Sequence, residues 1–242
     1  MANYHIKIKI KKCEFFCNRV NFLEHILSDE GIRKYPEFVQ KVKDFERPTT
    51  VTELRQFLGL INFQRKFIPK CAEIAKPLTE LTGLKKKTKI DWTPERVESF
   101  DGLKNEIEKE VSLSFPDYSS DAPRLELYVD ASGVGSGACL MQQSGNDVKT
   151  IGYASMTFSK TQRAYSTIER ELIAIRWRCQ VFRPFIFGIP FLLFTDHKPL
   201  TYMYNMSVHS SRIQRTLEEL SEFDFEIRYC PGKYNEAADF FV

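Results

Sequence analysis

The chain has 242 residues, of which 43% are hydrophobic and 28% charged, a balance typical of a globular protein with one large domain or two small ones. This composition excludes collagen-like, fibrous coiled-coil and globally disordered chains, and the absence of any apolar run of about 18 residues excludes a transmembrane helix. The net charge of +3 conceals an asymmetry, because residues 1–90 hold 19 basic and 10 acidic side chains whereas residues 91–242 hold 16 and 22. The asymmetry is compatible with chance variation, or with a basic region that binds a polyanion beside an acidic region that holds metal ions.

The first residues alternate Lys with Ile and contain no secretory apolar segment, so we expect an intracellular protein. Six cysteines occur without a Cys-x-x-Cys pair, and only four histidines are present. These spacings argue against a zinc site. Thiols of an intracellular chain stay reduced, and we expect all six to be buried like small apolar side chains.

Short strands and then a helix are predicted at the start of the chain. Alternation of polar and apolar residues predicts strands over residues 5–11 and 20–23, in a region that Gly31 closes. Pro36 suits the first turn of a helix whose apolar residues share one face as far as residue 46.

Two further helices follow. Thr50 and Glu53 have the spacing of a capping box and begin a helix that we expect to end at Pro69. Another helix is predicted over residues 72–81. The Lys-rich segment 83–89 is then the expected boundary between two parts of the chain.

The order of elements changes after this boundary. The predicted elements are a helix that begins at Thr93-Pro94 with Thr93 as its cap, strands over residues 125–129, 137–142 and 149–158, a long helix over 161–182, a strand over 191–195, a helix over 210–222 and a strand over 225–229. The order β-β-β-α-β-α-β indicates an antiparallel meander followed by α/β crossovers.

Four acidic residues occupy distinctive places in this second part. Asp130 and Asp196 each end an apolar strand, Glu171 lies in the long helix, and Asp239 follows small and apolar residues. Carboxylates gathered at one point require cations, and carboxylate oxygens suit Mg²⁺ or Mn²⁺. Taken singly, an Asp after a strand is more often a turn former. Glu169 and Glu171 are also readable as solvated charges paired with basic neighbours on the helix.

Four motifs in this order resemble those of the ribonuclease H domain in gypsy-like long-terminal-repeat retrotransposons. The first includes Tyr128-Val-Asp130-Ala-Ser-Gly133, and the third is Phe194-Thr-Asp-His-Lys-Pro-Leu200. The motifs occupy residues 127–138, 165–175, 194–200 and 229–239. The resemblance implies an α/β fold, with a ribonuclease H-like mixed sheet and flanking helices.

The first part resembles the reverse transcriptase of the same family. Residues 12–15 and 20–25 are similar to the end of the palm and its primer grip, and three segments are similar to the thumb: residues 53–60, 65–69 and 75–79. The resemblance implies four regions: palm-like strands over 1–32, a mainly helical thumb-like region over 33–90, a connecting helix and loop over 91–123, and the ribonuclease H-like domain over 124–242. No Asp-Asp pair, as in the family's polymerase motif, occurs, so we expect no DNA synthesis from this chain alone.

The resemblance also implies an activity, which is hydrolysis of the RNA strand of an RNA–DNA hybrid with two Mg²⁺ ions, Mn²⁺ being an alternative. The implied catalytic and metal-binding residues are Asp130, Glu171, Asp196 and Asp239, with Asp130 bridging both ions. Glu171 is preferred over Glu169 because the family's catalytic Glu immediately precedes the Leu of this motif. The implied partners are the hybrid and the missing fingers and palm of the polymerase, with no membrane, in a cytoplasmic particle or the nucleus.

Three further residues are candidates for contact with nucleic acid: Ser132, Gly133 and Asn235. Backbone amides around Ser132 suit an approach to the hybrid, because glycines leave room for it. An equally good interpretation is that the glycines serve only a hairpin turn.

The chain departs from the family pattern in several places. The loop over residues 230–234 contains no His, Glu24 stands where Gly is usual, and Met156 stands where Arg is usual. His197 follows Asp196 and is a candidate general base, although capping of the next segment is the more ordinary role. These departures leave open a non-catalytic nucleic-acid-binding remnant, and fold alone leaves open another metal-dependent nuclease, such as an integrase or junction resolvase.

Overall fold

The computed structural model describes residues 9, 10, 13, 15–200 and 210–231, so most of the strand expected over residues 5–11 lies outside it. Two sheets are present in this part of the chain, with strand orders β1-β2-β3-β4 and β7-β6-β5-β8-β9. The strands are β1 (Arg19–Phe22), β2 (His25–Ser28), β3 (Gly31–Lys34), β4 (Ser112–Leu113), β5 (Leu125–Ala131), β6 (Gly135–Ser144), β7 (Asp147–Thr157), β8 (Phe191–Thr195) and β9 (Phe225–Tyr229). The α-helices are α1 (Pro36–Lys43), α2 (Val51–Phe63), α3 (Cys71–Ile74), α4 (Lys76–Thr79), α5 (Pro94–Glu108), α6 (Lys160–Arg163), α7 (Thr167–Val181), α8 (Arg183–Ile186) and α9 (Ser211–Leu220).

The small sheet is an antiparallel meander that β4 completes from a distant part of the chain. Gly31 begins β3 instead of closing the strand region, which corrects the prediction. A Cβ atom at Gly31 would lie 2.1 Å from the carbonyl oxygen of Leu113 in β4. The close approach of β4 therefore requires glycine at this position.

The turn between β1 and β2 has two residues, Leu23 and Glu24, with φ angles of 47° and 59°. A turn with both central residues in the left-handed region twists in the same sense as the strands and favours Gly or Asn. The carbonyl oxygen of Glu24 accepts hydrogen bonds from Gln64 and from the backbone of Tyr35. The backbone thus keeps a conformation suited to glycine, although the residue is Glu.

Replacing Glu24 with Gly should therefore raise the free energy of unfolding by about 1 kcal/mol, because the left-handed conformation is costly for a residue with a Cβ atom. Urea unfolding of both proteins measures the difference. Glu30→Gly is the matched control, since Glu30 has no positive φ and should lose stability. Equal losses in both variants would contradict the prediction.

The helical region forms one apolar cluster, drawn from α1 to α5. Thr50 and Glu53 form the predicted capping box at the start of α2. The helix ends at Phe63, before a 3₁₀ turn, and the helix expected over residues 72–81 is divided among α3, α4 and another 3₁₀ turn. Thr93 precedes α5 but its side chain makes no capping hydrogen bond. The predicted limits of these helices were therefore wrong where short turns interrupt the apolar pattern.

The large sheet is mixed, as expected from the order of its elements. Strands β5, β6 and β7 are antiparallel, whereas β8 is parallel to both β5 and β9. Helices α7 and α9 cover one face and share an apolar cluster with β5 and β8. The predicted long helix is interrupted at residues 164–166, where Ser166 caps α7.

The helical region packs directly on β7 of the large sheet. The backbone N–H of Ala72 donates to Oγ of Ser155 at 2.9 Å, and the hydroxyl of Thr157 donates to the carbonyl of Ala72 at 3.4 Å. Arg65 donates to the carbonyl oxygen of Ser155. These bonds fix the start of α3 against β7, which lies at one edge of the large sheet. The four regional limits given above stay predictions.

All six cysteines are free thiols. Three are buried as expected: Cys71, Cys139 and Cys179. The other three keep some contact with solvent, which corrects the expectation: Cys13, Cys17 and Cys230. None of the helices within the described residues is long and apolar enough to cross a bilayer.

Candidate active site

The two strand-end acids lie side by side on neighbouring parallel strands. Val129 of β5 pairs with Thr195 of β8, so Asp130 and Asp196 are the next residues on the two strands. Adjacent strands are about 4.8 Å apart, which brings the two carboxylates close together. Asp196 directly follows β8, whereas Asp130 lies one residue before the end of β5.

Glu171 reaches the same place from α7. Its side chain belongs to a residue that is only 5% exposed, and Oε2 forms no hydrogen bond within the described residues. Burial, and after it the negative charges of Asp196 and Asp130, together raise the pKa of Glu171 to about 8, against an opposite effect of Arg170. The interpretation of Glu171 as a solvated helix charge is therefore wrong.

Glu169 has a different role, which sequence reasoning missed. Its carboxylate accepts hydrogen bonds from the backbone and hydroxyl of Ser166, while Oγ of Ser166 accepts from the backbone of Glu169. It also forms an ion pair with Arg212 of α9 at 2.8 Å. The signal was present as a Ser-x-x-Glu capping box, and it leaves Glu169 occupied at the start of α7.

Ser132 and Gly133 form the hairpin between β5 and β6. Oγ of Ser132 accepts from the backbone N–H groups of Val134 and Gly135 and donates to the carbonyl of Gly135. The carbonyl of Gly133 accepts from Arg170 at 3.4 Å. The turn role is thus present, and contact with nucleic acid stays a prediction. Asn235 and Asp239 lie outside the described residues.

Gly135, at the end of this hairpin, packs too closely against the backbone of β7 to carry a side chain. A Cβ atom there would lie 2.6 Å from the carbonyl oxygen of Met156 in β7. We expect Gly135→Ala to lower the free energy of unfolding by about 1–3 kcal/mol, because the backbones must separate. Gly133→Ala is the control: its nearest neighbour would be Arg170 at 3.8 Å, so stability should change little. Chemical unfolding of both variants tests this, and equal stabilities would contradict it.

Two hydrogen bonds fix the backbone of His197: its N–H donates to Oγ1 of Thr195, and its carbonyl oxygen accepts from the N–H of Leu200. Capping of the next segment by His197 stays a prediction. Nε2 is buried without a hydrogen bond among the described residues. Burial lowers the pKa of His197, partly opposed by Asp196. The neutral ring is therefore favoured.

The acids form an oxygen-donor set. Within the residues that the structure describes, no three His, Cys, Asp or Glu side chains are close enough together to enclose a metal ion. The three acids are nevertheless coupled, since two of them raise the pKa of the third. Carboxylate oxygens with one buried and unbonded acceptor are chemically suited to Mg²⁺ or Mn²⁺.

Residues 121–223 match the sequence profile of the RNase H-like domain found in reverse transcriptase. The chain carries an RNase H-like domain of the reverse-transcriptase type. Over 240 residues, or 99% of its length, it is 38% identical to the retrovirus-related Pol polyprotein from transposon 297 of Drosophila melanogaster, of which it covers 22%. Over 244 residues it is 34% identical to the transposon Tf2-3 polyprotein of Schizosaccharomyces pombe, of which it covers 18%. The chain thus spans about a fifth of the length of these relatives. The predicted resemblance to Pol polyproteins of long-terminal-repeat retrotransposons is confirmed.

Solved structures support the same fold for the RNase H-like domain and the region before it. The foamy viral protease-reverse transcriptase in complex with an RNA/DNA hybrid is 24% identical, with a TM-score of 0.72 over 91% of this chain and 30% of that chain. The same protein in complex with double-stranded DNA gives a TM-score of 0.73 over 88% of this chain and 45% of that chain. At this identity the likeness establishes the fold, and the predicted fold class is confirmed.

Proposed function

We propose that the chain hydrolyses the RNA strand of an RNA–DNA hybrid, as the nuclease part of a retrotransposon reverse transcriptase. The observation that carries the proposal is the buried Glu171 carboxyl, whose pKa is raised by burial and by the charges of Asp196 and Asp130. A structural carboxyl at this depth would be paired with a donor, because burying an unpaired acid is costly. Here two further acids, Asp196 and Asp130, act on the Glu171 carboxyl and raise its pKa. Carboxyl groups with strongly shifted pKa values are concentrated at functional sites.

Divalent cations account for this arrangement, because they neutralise carboxylates that would otherwise repel each other. Asp130, Glu171 and Asp196 would hold them, and Asp239 is the fourth ligand that the resemblance implies. Bound Mg²⁺ would activate a water and stabilise charge on the phosphate undergoing attack. The protein would orient the three carboxylates: β5 and β8 place the two aspartates, and α7 supplies Glu171 from one face of the sheet.

The substrate class follows from the relatives and from the site. The foamy viral enzyme of similar fold forms a complex with an RNA/DNA hybrid, which supports the hybrid as the substrate here. The hairpin at Ser132 and Gly133 adjoins Asp130, so the turn would lie beside the cleaved strand. Selection of RNA would depend on contacts with 2′-hydroxyl groups across the shallow minor groove.

The remaining polymerase is the proposed partner. Large apolar side chains near the start of the described chain are exposed to solvent: Phe15, Phe16, Val20, Phe22 and Leu23. Apolar groups concentrated in one segment mark an interaction surface. This supports packing of the hairpin formed by β1 and β2 against the fingers and palm.

Incubation of the chain with end-labelled RNA–DNA hybrid and Mg²⁺ tests the proposal. We expect endonucleolytic products with 5′-phosphate and 3′-hydroxyl ends, and a rate lower by roughly 100-fold or more in Asp130→Asn. Asp147→Asn, which changes an exposed acid at the start of β7, should cleave at the wild-type rate. Salt-dependent binding without cleavage would instead favour the non-catalytic remnant. Cleavage of duplex DNA or junctions in preference to hybrid would favour another nuclease of this fold.

A further inference from the structure

We propose that Lys70, from the helical region, is a positioning residue of the carboxylate site, where its ammonium group holds Asp130 and competes with the metal ions for it. The proposal rests on the proposed function, because it adds Lys70 to the same carboxylate site. Its central contact is nevertheless testable without any cleavage assay.

The side chain of Lys70 lies across the strand that pairs with Asp130. Cγ of Lys70 is 3.9 Å from the position that a Cβ atom would take at Gly137. Gly137 of β6 is the antiparallel partner of Asp130. Residues directly opposite each other on antiparallel strands project from the same face, with their Cβ positions about 5 Å apart. The stem of Lys70 therefore covers the face from which Asp130 projects, and its remaining Cδ, Cε and Nζ atoms suffice to reach the carboxylate.

The backbone around Lys70 is fixed in this place. Ala72 and Ser155 are joined by the 2.9 Å hydrogen bond described above, and Ser155 is the β7 partner of Gly137. Lys70 itself has φ 49°, in the left-handed region that disfavours residues with a Cβ atom. A strained residue persists where its surroundings hold it, often at functional sites. The strain here directs a half-buried lysine over the sheet.

The charge of Lys70 is opposite to that of the carboxylates. Asp130 and Asp196 follow paired residues on neighbouring parallel strands, so two like charges lie side by side there. A neighbouring ammonium group offsets this repulsion, and it occupies a carboxylate that the metal ions also need. Lys70 would thus keep the acids together before the ions bind and would weaken binding of the ions.

A double-mutant cycle in EDTA measures the contact. We expect Lys70→Met to lower the melting temperature of the full chain by about 2–4 °C, and to have no effect in an Asp130→Asn background. Lys66→Met is the control, because Lys66 lies in the same segment over the Phe67 ring. Its effect should be equal in both backgrounds. An equal effect of Lys70→Met in both backgrounds would show that the Lys70 side chain contributes packing alone, independent of Asp130, and would overturn the proposal.

Titration with Mg²⁺, followed by the rise in melting temperature, gives the second measurement. Lys70→Met should lower the Mg²⁺ concentration at half-maximal stabilisation by about 3- to 10-fold, because a competing cation is removed. Lys70→Arg should restore the wild-type value. An unchanged midpoint would also overturn the proposal. If the coupling exists but no variant cleaves hybrid, the nuclease assignment fails and the Lys70 contact stands; if Asp130-dependent cleavage exists without coupling, only the Lys70 proposal fails.

Discussion

Glu171→Gln should make the metal-free chain more stable at neutral pH while it abolishes cleavage of hybrid. The buried carboxyl takes up a proton in the folded chain at a pH where the unfolded chain has lost it, because burial and the charges of Asp196 and Asp130 raise its pKa from 4.5 to about 8. Gln resembles the protonated carboxyl in size and lacks the charge. The substitution therefore removes the energetic cost of the site together with a metal ligand.

The sign and size of this effect follow from proton linkage. Between pH 4.5 and about 8 the folded chain binds one more proton at Glu171 than the unfolded chain, so stability falls as pH rises through this window. At 1.36 kcal/mol for each pH unit, the penalty relative to Gln is about 3 kcal/mol at pH 7 and vanishes near pH 4. The variant should show a flatter profile of stability against pH.

Urea unfolding in EDTA at several pH values, with hybrid cleavage in Mg²⁺, tests both parts. Glu169→Gln is the matched control on the same helix. It loses part of the cap with Ser166 and the ion pair with Arg212, so it should cost about 1 kcal/mol and retain cleavage. The assignment of Glu171 would be wrong if Glu171→Gln cleaved at the wild-type rate, or if Glu169→Gln abolished cleavage.

Arg178→Met should raise the free energy of unfolding by about 2–4 kcal/mol. Arg178 is 0% exposed, and Nε and both terminal nitrogens form no hydrogen bond within the described residues. Burial lowers the pKa of Arg178 to about 9, as does the charge of Arg65, while Asp130 opposes this effect. The Trp177 ring, 4.6 Å from the guanidinium carbon, recovers only part of the cost of burying the charge. Met fills a similar volume without a charge.

Thermal and urea unfolding measure this gain. Arg176→Met on the same helix is the control: Arg176 forms a partly exposed ion pair with Glu219 at 2.8 Å, so its loss should cost at most about 1 kcal/mol. A loss of stability in Arg178→Met would mean that the guanidinium has a strong polar partner in the native protein.

Local signals were sufficient for the order of the main elements after residue 124 and for the position of two acids at strand ends, whereas β2, β3 and β4 of the small sheet were not predicted. Asp130 and Asp196 follow apolar runs with strand character, and the ends of such strands meet at one edge of a sheet. Thr50 and Glu53 were identifiable as a capping box because both partners are three residues apart. Helix limits were less predictable where short turns interrupt a continuous apolar pattern, as at residues 72–81 and 164–166.

The chain's sequence by itself determined its class, the succession of the main strands and helices after residue 124 and the motif resemblance, since these depend on spacing within one segment. Only the tertiary structure decided that Glu171 is buried near two aspartates, because a helix has no fixed orientation until its apolar face packs. The same holds for the burial of Arg178 without a hydrogen bond from its guanidinium to any described residue, and for the position of Lys70 over Gly137. These features arise from contacts between distant segments, which no local pattern encodes.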